Sequence, residues 1–148
     1  HVFTPSEIRS RYEILLENYG KMLHIEALTM VDMVKKGIMP ACVAYQNDLS
    51  QLLCSKKSCG DFDCSLEEHL LGRLSGLSAC LLKKLEDLET AVLETKDQTD
   101  ELTLARFYRD RVFGAMTALR LTVDELETLV SADRWPYPTY AEMLYSVN

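Results

Sequence analysis

The sequence predicts an all-α fold, an antiparallel helical bundle of three long helices and one shorter helix, followed by an extended aromatic-proline tail and a short terminal helix. Apolar residues recur three and four positions apart along most of the chain, which is the periodicity of one helix face. Capping residues stand where such runs begin, and no stretch alternates like a strand. We expect a single helical-bundle domain over 1–148, with helices at about 5–36, 40–55, 65–96, 100–132 and 140–145.

The first helix has a complete start signal, with Thr4 as N-cap, Pro5 at the first helical position and Glu7 placed to complete a capping box. Gly37 follows two lysines and is expected to end it. Two apolar rows predict one broad buried face: Ile8, Tyr12, Leu15, Tyr19 and Met22, and beside them Leu16, Leu23, Ala27, Met30 and Val34.

Similar start signals and apolar spacing predict the remaining helices. Pro40 opens the second helix, and 56–63 is expected to be a polar loop. Ser65 resembles a second capping-box start, and Thr99 or Asp100 caps the fourth helix. The third helix has a narrow seam at four-three spacing, which predicts packing against neighbouring helices: Leu70, Leu74, Leu77, Leu81, Leu85, Leu88 and Val92.

The tail 135–140, WPYPTY, cannot continue a helix, because Pro136 and Pro138 lack the amide proton and hold the chain extended. Its large rings favour burial on a surface. That surface is either the end of the bundle itself or another domain or subunit. Thr139 then fits the cap of the short terminal helix, whose residues Met143, Leu144 and Tyr145 need a partner surface.

Composition narrows the class of function. The 148 residues carry 16 basic and 23 acidic side chains, a net charge of −7, which disfavours nucleic acid as a partner. No apolar run approaches the roughly 18–20 residues that span a bilayer, so no membrane association is expected. The chain starts at His1 rather than Met, and we expect it to be a piece of a longer protein.

Five cysteines, an odd and scattered set, suit a reducing compartment, with the cytoplasm as the default: Cys42, Cys54, Cys59, Cys64 and Cys80. Three of them and a histidine recur every five residues, which raises the hypothesis of a zinc site formed by Cys54, Cys59, Cys64 and His69. Such sites usually use tighter Cys-x-x-Cys pairs. Ordinary thiols and a surface histidine are the favoured reading, and metal binding by these four stays an open question.

No other candidate site emerges. His24, near Glu26, is expected to be a surface histidine or a core histidine with its hydrogen bonds satisfied. The carboxylates Asp124, Glu125 and Glu127 are expected to form a solvated helix face. No Glu-x-x-His pair of a di-metal bundle and no phosphate-binding loop is present. We therefore assign no catalytic, cofactor-binding or metal-ligating residue within this chain.

The stretch 123–130, VDELETLV, followed by 135–140, WPYPTY, resembles the C-terminal end of type III glutamine synthetases, the large bacterial form of the enzyme. Residues 11–19, 25–30 and 63–65 resemble the same helical region, so the likeness covers essentially the whole chain. How the pair Asp133 and Arg134 relates to the family pattern is left open.

This resemblance implies a parent enzyme that ligates ammonia to glutamate in nitrogen metabolism and glutamine biosynthesis, using ATP and Mg²⁺ or Mn²⁺, and that assembles as a double-ringed dodecamer. Its ligands would lie in a catalytic region outside 1–148. The expected role is a non-catalytic C-terminal domain that serves subunit stability or oligomer assembly, inactive alone, with the catalytic region and neighbouring subunits as partners. The alternative is a stand-alone helical protein–protein interaction module.

Overall fold

A computed structural model describes residues 3–138, and within that range the chain is helical, without strands. The helices are α1 (Pro5–Met33), α2 (Met39–Cys59), α3 (Ser65–Glu94), α4 (Glu101–Phe107) and α5 (Phe113–Leu129). Two π turns, Val34–Ile38 and Tyr108–Val112, join α1 to α2 and α4 to α5. The predicted all-α class is confirmed, and the fold is consistent with a helical bundle. The predicted terminal helix 140–145 lies outside the described residues.

The predicted end of the first helix at Gly37 is wrong, because the helix continues through the π turn into α2. In this wider turn the amide of Met39 bonds the carbonyl of Val34, one residue further back than in an α-helix. The changed register gives the chain room to pass Pro40, which cannot donate a helical hydrogen bond. Gly37 therefore does not end the helix. The helix ends instead at Cys59, where Gly60 takes a φ of +156°.

The helix starts confirm two of the three predicted caps. Thr4 and Glu7 form the reciprocal capping box, with the Glu7 amide 3.2 Å from Thr4 Oγ1 and the Thr4 amide 3.1 Å from Glu7 Oε2. Asp100 caps α4 by accepting from the Thr103 amide. At α3 the predicted capping box is wrong. Asp63 Oδ1 accepts from both the amide and the hydroxyl of Ser65.

The chain forms two compact units, each made of segments far apart in sequence. The first unit contains residues 3–31 and 84–119 of the described range. Its buried side chains come from α1, the second half of α3, and α4 through α5. They are Leu23, Ala27, Leu85, Leu88, Ala91, Val92, Ala105, Tyr108, Val112, Ala115, Met116 and Leu119. Arg111 binds Asp87 through two nitrogens at 2.9 and 3.0 Å and so ties the second π turn to α3.

The second unit contains residues 32–83 and 120–138 of the described range. Its buried apolar side chains are Val34, Ile38, Ala41, Cys42, Leu49, Leu74, Leu81, Leu126, Val130 and Trp135. A polar contact accompanies them, since Gln46 Nε2 donates to the hydroxyl of Ser78 at 2.9 Å. Cys42 is part of this interior, and burial raises the pKa of its thiol.

The predicted apolar seams are mostly confirmed, with one exception. The seam of α3 is buried at Leu74, Leu81, Leu85, Leu88 and Val92. In α1 the row containing Leu23 and Ala27 is buried, whereas the row that starts at Ile8 and ends at Met22 is exposed. The prediction of one broad buried face on α1 is therefore wrong, because the unit covers only one of its two apolar rows.

A partly buried ion pair joins the end of α2 to the start of α3 in the second unit. Lys56 Nζ lies 2.7 Å from Glu67 Oε1 and also donates to the carbonyl of Asp63 at 3.1 Å. Glu67 is buried, and its Oε2 has no hydrogen-bond partner within the described residues. The hydrogen bond from Lys56 holds the pKa of Glu67 below its usual value and raises the pKa of Lys56. This pair fixes the connection between two helices at a single point.

Acid is expected to weaken this connection. A carboxyl whose pKa is lower in the folded chain stabilises the fold above its unfolded pKa, and that contribution disappears as pH falls through the folded-state value. We expect Glu67→Gln to be less stable than the wild type at pH about 7. The difference is expected to shrink as pH falls below the ordinary glutamate value of about 4.3 and to vanish once Glu67 is protonated in the folded chain. Urea unfolding followed by circular dichroism across this pH range measures it.

The matched control is Glu68→Gln. Glu68 is the next residue along α3 and faces Lys57 at 3.4 Å, but both side chains are exposed. Water screens such a pair, so this substitution is expected to change the unfolding free energy and its pH dependence little. Equal effects of the two substitutions would contradict the assignment of Glu67.

Candidate functional site

The described part of the aromatic tail packs on the second unit. Trp135 is buried, with 9% of its surface exposed, and its amide bonds the carbonyl of Ser131 just after α5. Tyr137 extends its hydroxyl to the carbonyl of Met33 at 3.3 Å. The sequence left two surfaces open for the tail, the end of the bundle itself or another domain or subunit. In the structure Trp135 and Tyr137 pack on the chain's own helices. Tyr140 lies outside the described residues.

Gly37 has a steric role in this contact. A Cβ atom at position 37 would lie 2.7 Å from the Tyr137 hydroxyl oxygen and 3.1 Å from the ring edge. The bare backbone of the π turn therefore lets the ring approach the carbonyl that it bonds. A side chain here would displace Tyr137 from Met33.

An ion pair fixes the tail beside these rings. Arg134 donates through Nε and Nη2 to Asp48 Oδ2 on α2, at 3.0 and 2.7 Å. Both side chains are nearly half exposed. Exposed pairs of this kind contribute about 0–1 kcal/mol, so burial of Trp135 dominates the anchoring.

The first unit contains an open groove between α1 and α4, with Leu16, Ile25, Leu104 and Ala105 among its lining residues. At its base the Tyr108 hydroxyl lies 3.2 Å from His24 Nδ1, and the two rings meet edge to face at 6.4 Å. Gly20 lets them approach, because a Cβ there would lie 3.3 Å from the Tyr108 ring. His24 is therefore a satisfied, partly buried histidine, as its sequence context indicates.

The residues weighed for zinc are not brought together. Within residues 3–138 no group of three or more His, Cys, Asp or Glu side chains is arranged to hold a metal ion. Cys54 and Cys59 lie exposed on α2, Cys64 points its thiol at the carbonyl of Phe62, and His69 is exposed on α3. The regular spacing in sequence does not produce convergence in space.

The acidic residues of α5 are a charged helix face. Asp124 and Glu125 are exposed, and Glu127 is partly exposed. Glu125 lies 3.9 Å from Arg73 of α3 in a solvent-accessible pair. This arrangement fits the interpretation as a solvated surface.

We expect Trp135→Ala to destabilise the second unit by about 3–5 kcal/mol, the usual result of removing a buried aromatic ring. Leu121→Ala is the control, because Leu121 is a large apolar residue that is 61% exposed. Urea unfolding followed by circular dichroism measures both without relying on tryptophan fluorescence. Equal loss in the two variants would show that the tail does not need its buried ring.

Among residues 3–138 no helix combines the length and the apolarity that crossing a bilayer requires.

Comparison with known proteins gives consistent matches over the whole chain. Residues 1–57 match the glutamine synthetase C-terminal domain family. A glutamine synthetase of Butyrivibrio fibrisolvens is 44% identical over 99% of this chain and 21% of its own length. A type-3 glutamine synthetase of Dictyostelium discoideum is 32% identical over 98% of this chain and 20% of its own.

A glutamine synthetase of Bacteroides fragilis is 26% identical over 98% of this chain and 21% of its own length. The chain thus spans about a fifth of the length of the curated relatives that it matches. The resemblance inferred from the motifs is confirmed: residues 1–57 match the glutamine synthetase C-terminal domain family, and nearly the whole chain is similar to part of larger glutamine synthetases, one of them a type-3 enzyme.

Proposed function

We propose that this chain is the non-catalytic C-terminal helical domain of a type III glutamine synthetase and that it serves subunit stability or oligomer assembly. The observation that carries the proposal is the 44% identity that extends over 99% of the chain yet covers only a fifth of the relative. The chain matches one part of a longer protein from end to end. This supports the proposal that it is a domain separate from the catalytic region.

The parent reaction in this proposal is the ATP-dependent ligation of ammonia to glutamate, with Mg²⁺ or Mn²⁺ as the metal. The partners are the catalytic region of the same polypeptide and the neighbouring subunits of a homo-oligomer, a dodecamer by resemblance. The described helices support a structural role, because their interior is filled by leucine, valine and alanine side chains that pack helix against helix.

We also place the protein in the cytoplasm. All five cysteines are free thiols, three of them at least partly exposed at the end of α2 and the loop that follows it. Exposed thiols persist in a reducing compartment, which supports this location.

We expect the isolated chain to fold but to form no glutamine. The assay supplies glutamate, ammonia and ATP with Mg²⁺ or Mn²⁺ and measures glutamine directly, while circular dichroism shows that the chain is helical. The full-length enzyme of Butyrivibrio fibrisolvens is the positive control under the same conditions. Turnover in proportion to the concentration of the pure chain would overturn a non-catalytic role.

A replacement experiment tests the role in stability or assembly. The matching fifth of the Butyrivibrio fibrisolvens enzyme is exchanged for this chain, and a second variant lacks that fifth. We expect the exchanged enzyme to keep the mass and activity of the parent and the truncated enzyme to lose at least one of them. Light scattering and glutamine formation report both, and a truncated enzyme with unchanged mass, thermal stability and activity would refute the proposed role.

A further inference from the structure

An apolar row of α1 lies exposed on the first unit, outside its own core. Five large side chains form it, at spacings of four, three, four and three residues: Ile8 (55% exposed), Tyr12 (53%), Leu15 (66%), Tyr19 (37%) and Met22 (60%). We call these five residues the α1 stripe. The buried residues Leu23 and Ala27 lie on a different side of the same helix, so the stripe is not the face that the unit uses internally.

The spacing of the stripe matches a helical partner. Side chains that alternate four and three residues apart average 3.5 residues per turn, the repeat with which two helices stay in contact along a seam. From Ile8 to Met22 the stripe covers two heptads, about 21 Å of helix at 1.5 Å per residue.

The order of residues identifies the partner. From either end the stripe reads aliphatic, aromatic, aliphatic, aromatic, aliphatic, with Leu15 at the centre. An antiparallel copy of the same helix, related by a two-fold axis at Leu15, would set Ile8 opposite Met22 and Tyr12 within one residue of Tyr19, about 1.5 Å along the helix. A two-fold interface requires this kind of self-complementary patch. The surface of an unrelated domain would impose no such symmetry.

Charges at the edge of the stripe permit this pairing. The residues just before the two tyrosines are Arg11 and Asn18, which the same two-fold axis brings within one residue of each other along the helix, a cation near a neutral amide. Near the tyrosines, Arg109 is neutralised by Asp110 at 3.0 Å, and this hydrogen bond raises the pKa of Arg109 and lowers that of Asp110. The pairing therefore brings no like charges together at these positions.

We propose that the α1 stripe is a self-association surface that binds a second copy of this chain through antiparallel α1 helices crossing at Leu15. With on the order of 100 Å² from each half-exposed large side chain, ten side chains bury roughly 1,000 Å² in total, at the lower limit of a specific interface. The dimer is accordingly weak. The inference concerns this chain alone and does not depend on glutamine synthesis by any parent enzyme.

Sedimentation equilibrium of the 148-residue chain under reducing conditions tests the proposal. We expect the mass to rise from 16.9 kDa towards twice that value between about 1 μM and about 1 mM protein. Leu15→Glu sets two carboxylates together on the axis and is expected to weaken the dimer at least about tenfold. Ile14→Glu is the matched control, because Ile14 is 56% exposed but is rotated about 100° around the helix from Leu15.

A charge-pair mixture tests the antiparallel direction. Ile8→Glu and Met22→Lys each remove an apolar contact, but their mixture is expected to form a mixed dimer, because positions 8 and 22 meet. A mixture of Ile8→Glu with Ile8→Lys is expected to stay monomeric, and circular dichroism confirms that each variant is folded.

A chain that is monomeric up to about 1 mM, or a dimer that Leu15→Glu leaves intact, overturns the proposal. In the first case the stripe faces a different polypeptide. Pairing of the two variants at position 8 would overturn the antiparallel geometry. None of these results bears on the replacement experiment with the parent enzyme, so the two proposals fail separately.

Discussion

The second unit depends on one irregular helical turn, the π turn Val34–Ile38. Its wider hydrogen-bond pattern carries a single helical run from residue 5 to residue 59 past Pro40, which would otherwise break it. The same turn places Gly37 where Tyr137 approaches the carbonyl of Met33. Continuity of the helix and docking of the tail therefore have one local cause. A regular helix with any side chain at position 37 would fill the space that the ring occupies.

Most of the fold could be predicted because its signals are local. The capping box of Thr4 and Glu7 and the cap at Asp100 act within one turn of helix, and both form as the sequence predicts. The leucine seam of α3 has a strict period, which only a helix packed along that line satisfies. The end of a helix was less predictable, because Gly37 and Pro40 are read as stop signals unless the register changes, and a π turn has no comparable sequence signature.

The candidate sites were harder to predict, since they depend on which residues meet. The even spacing of Cys54, Cys59 and Cys64 is a property of the sequence alone, and within residues 3–138 they belong to no group arranged to hold a metal ion. The pairs Lys56–Glu67 and Arg134–Asp48 join residues 11 and 86 positions apart, so no periodicity announces them. A buried carboxylate such as that of Glu67 takes the nearest cation in preference to solvent.

Two groups of aromatic residues that look alike in sequence differ in their burial. Trp135 and Tyr137 follow the last helix and find a surface on their own unit, whereas Tyr12 and Tyr19 remain exposed on α1. The difference arises from what each helix face must already accommodate. On α1, the small residues Gly20 and Ala27 are buried, and Gly20 lets Tyr108 approach closely, so the core is complete without the larger side chains. Folding of the unit does not require this apolar face, yet its residues keep a regular helical repeat. Contact with another polypeptide explains both observations.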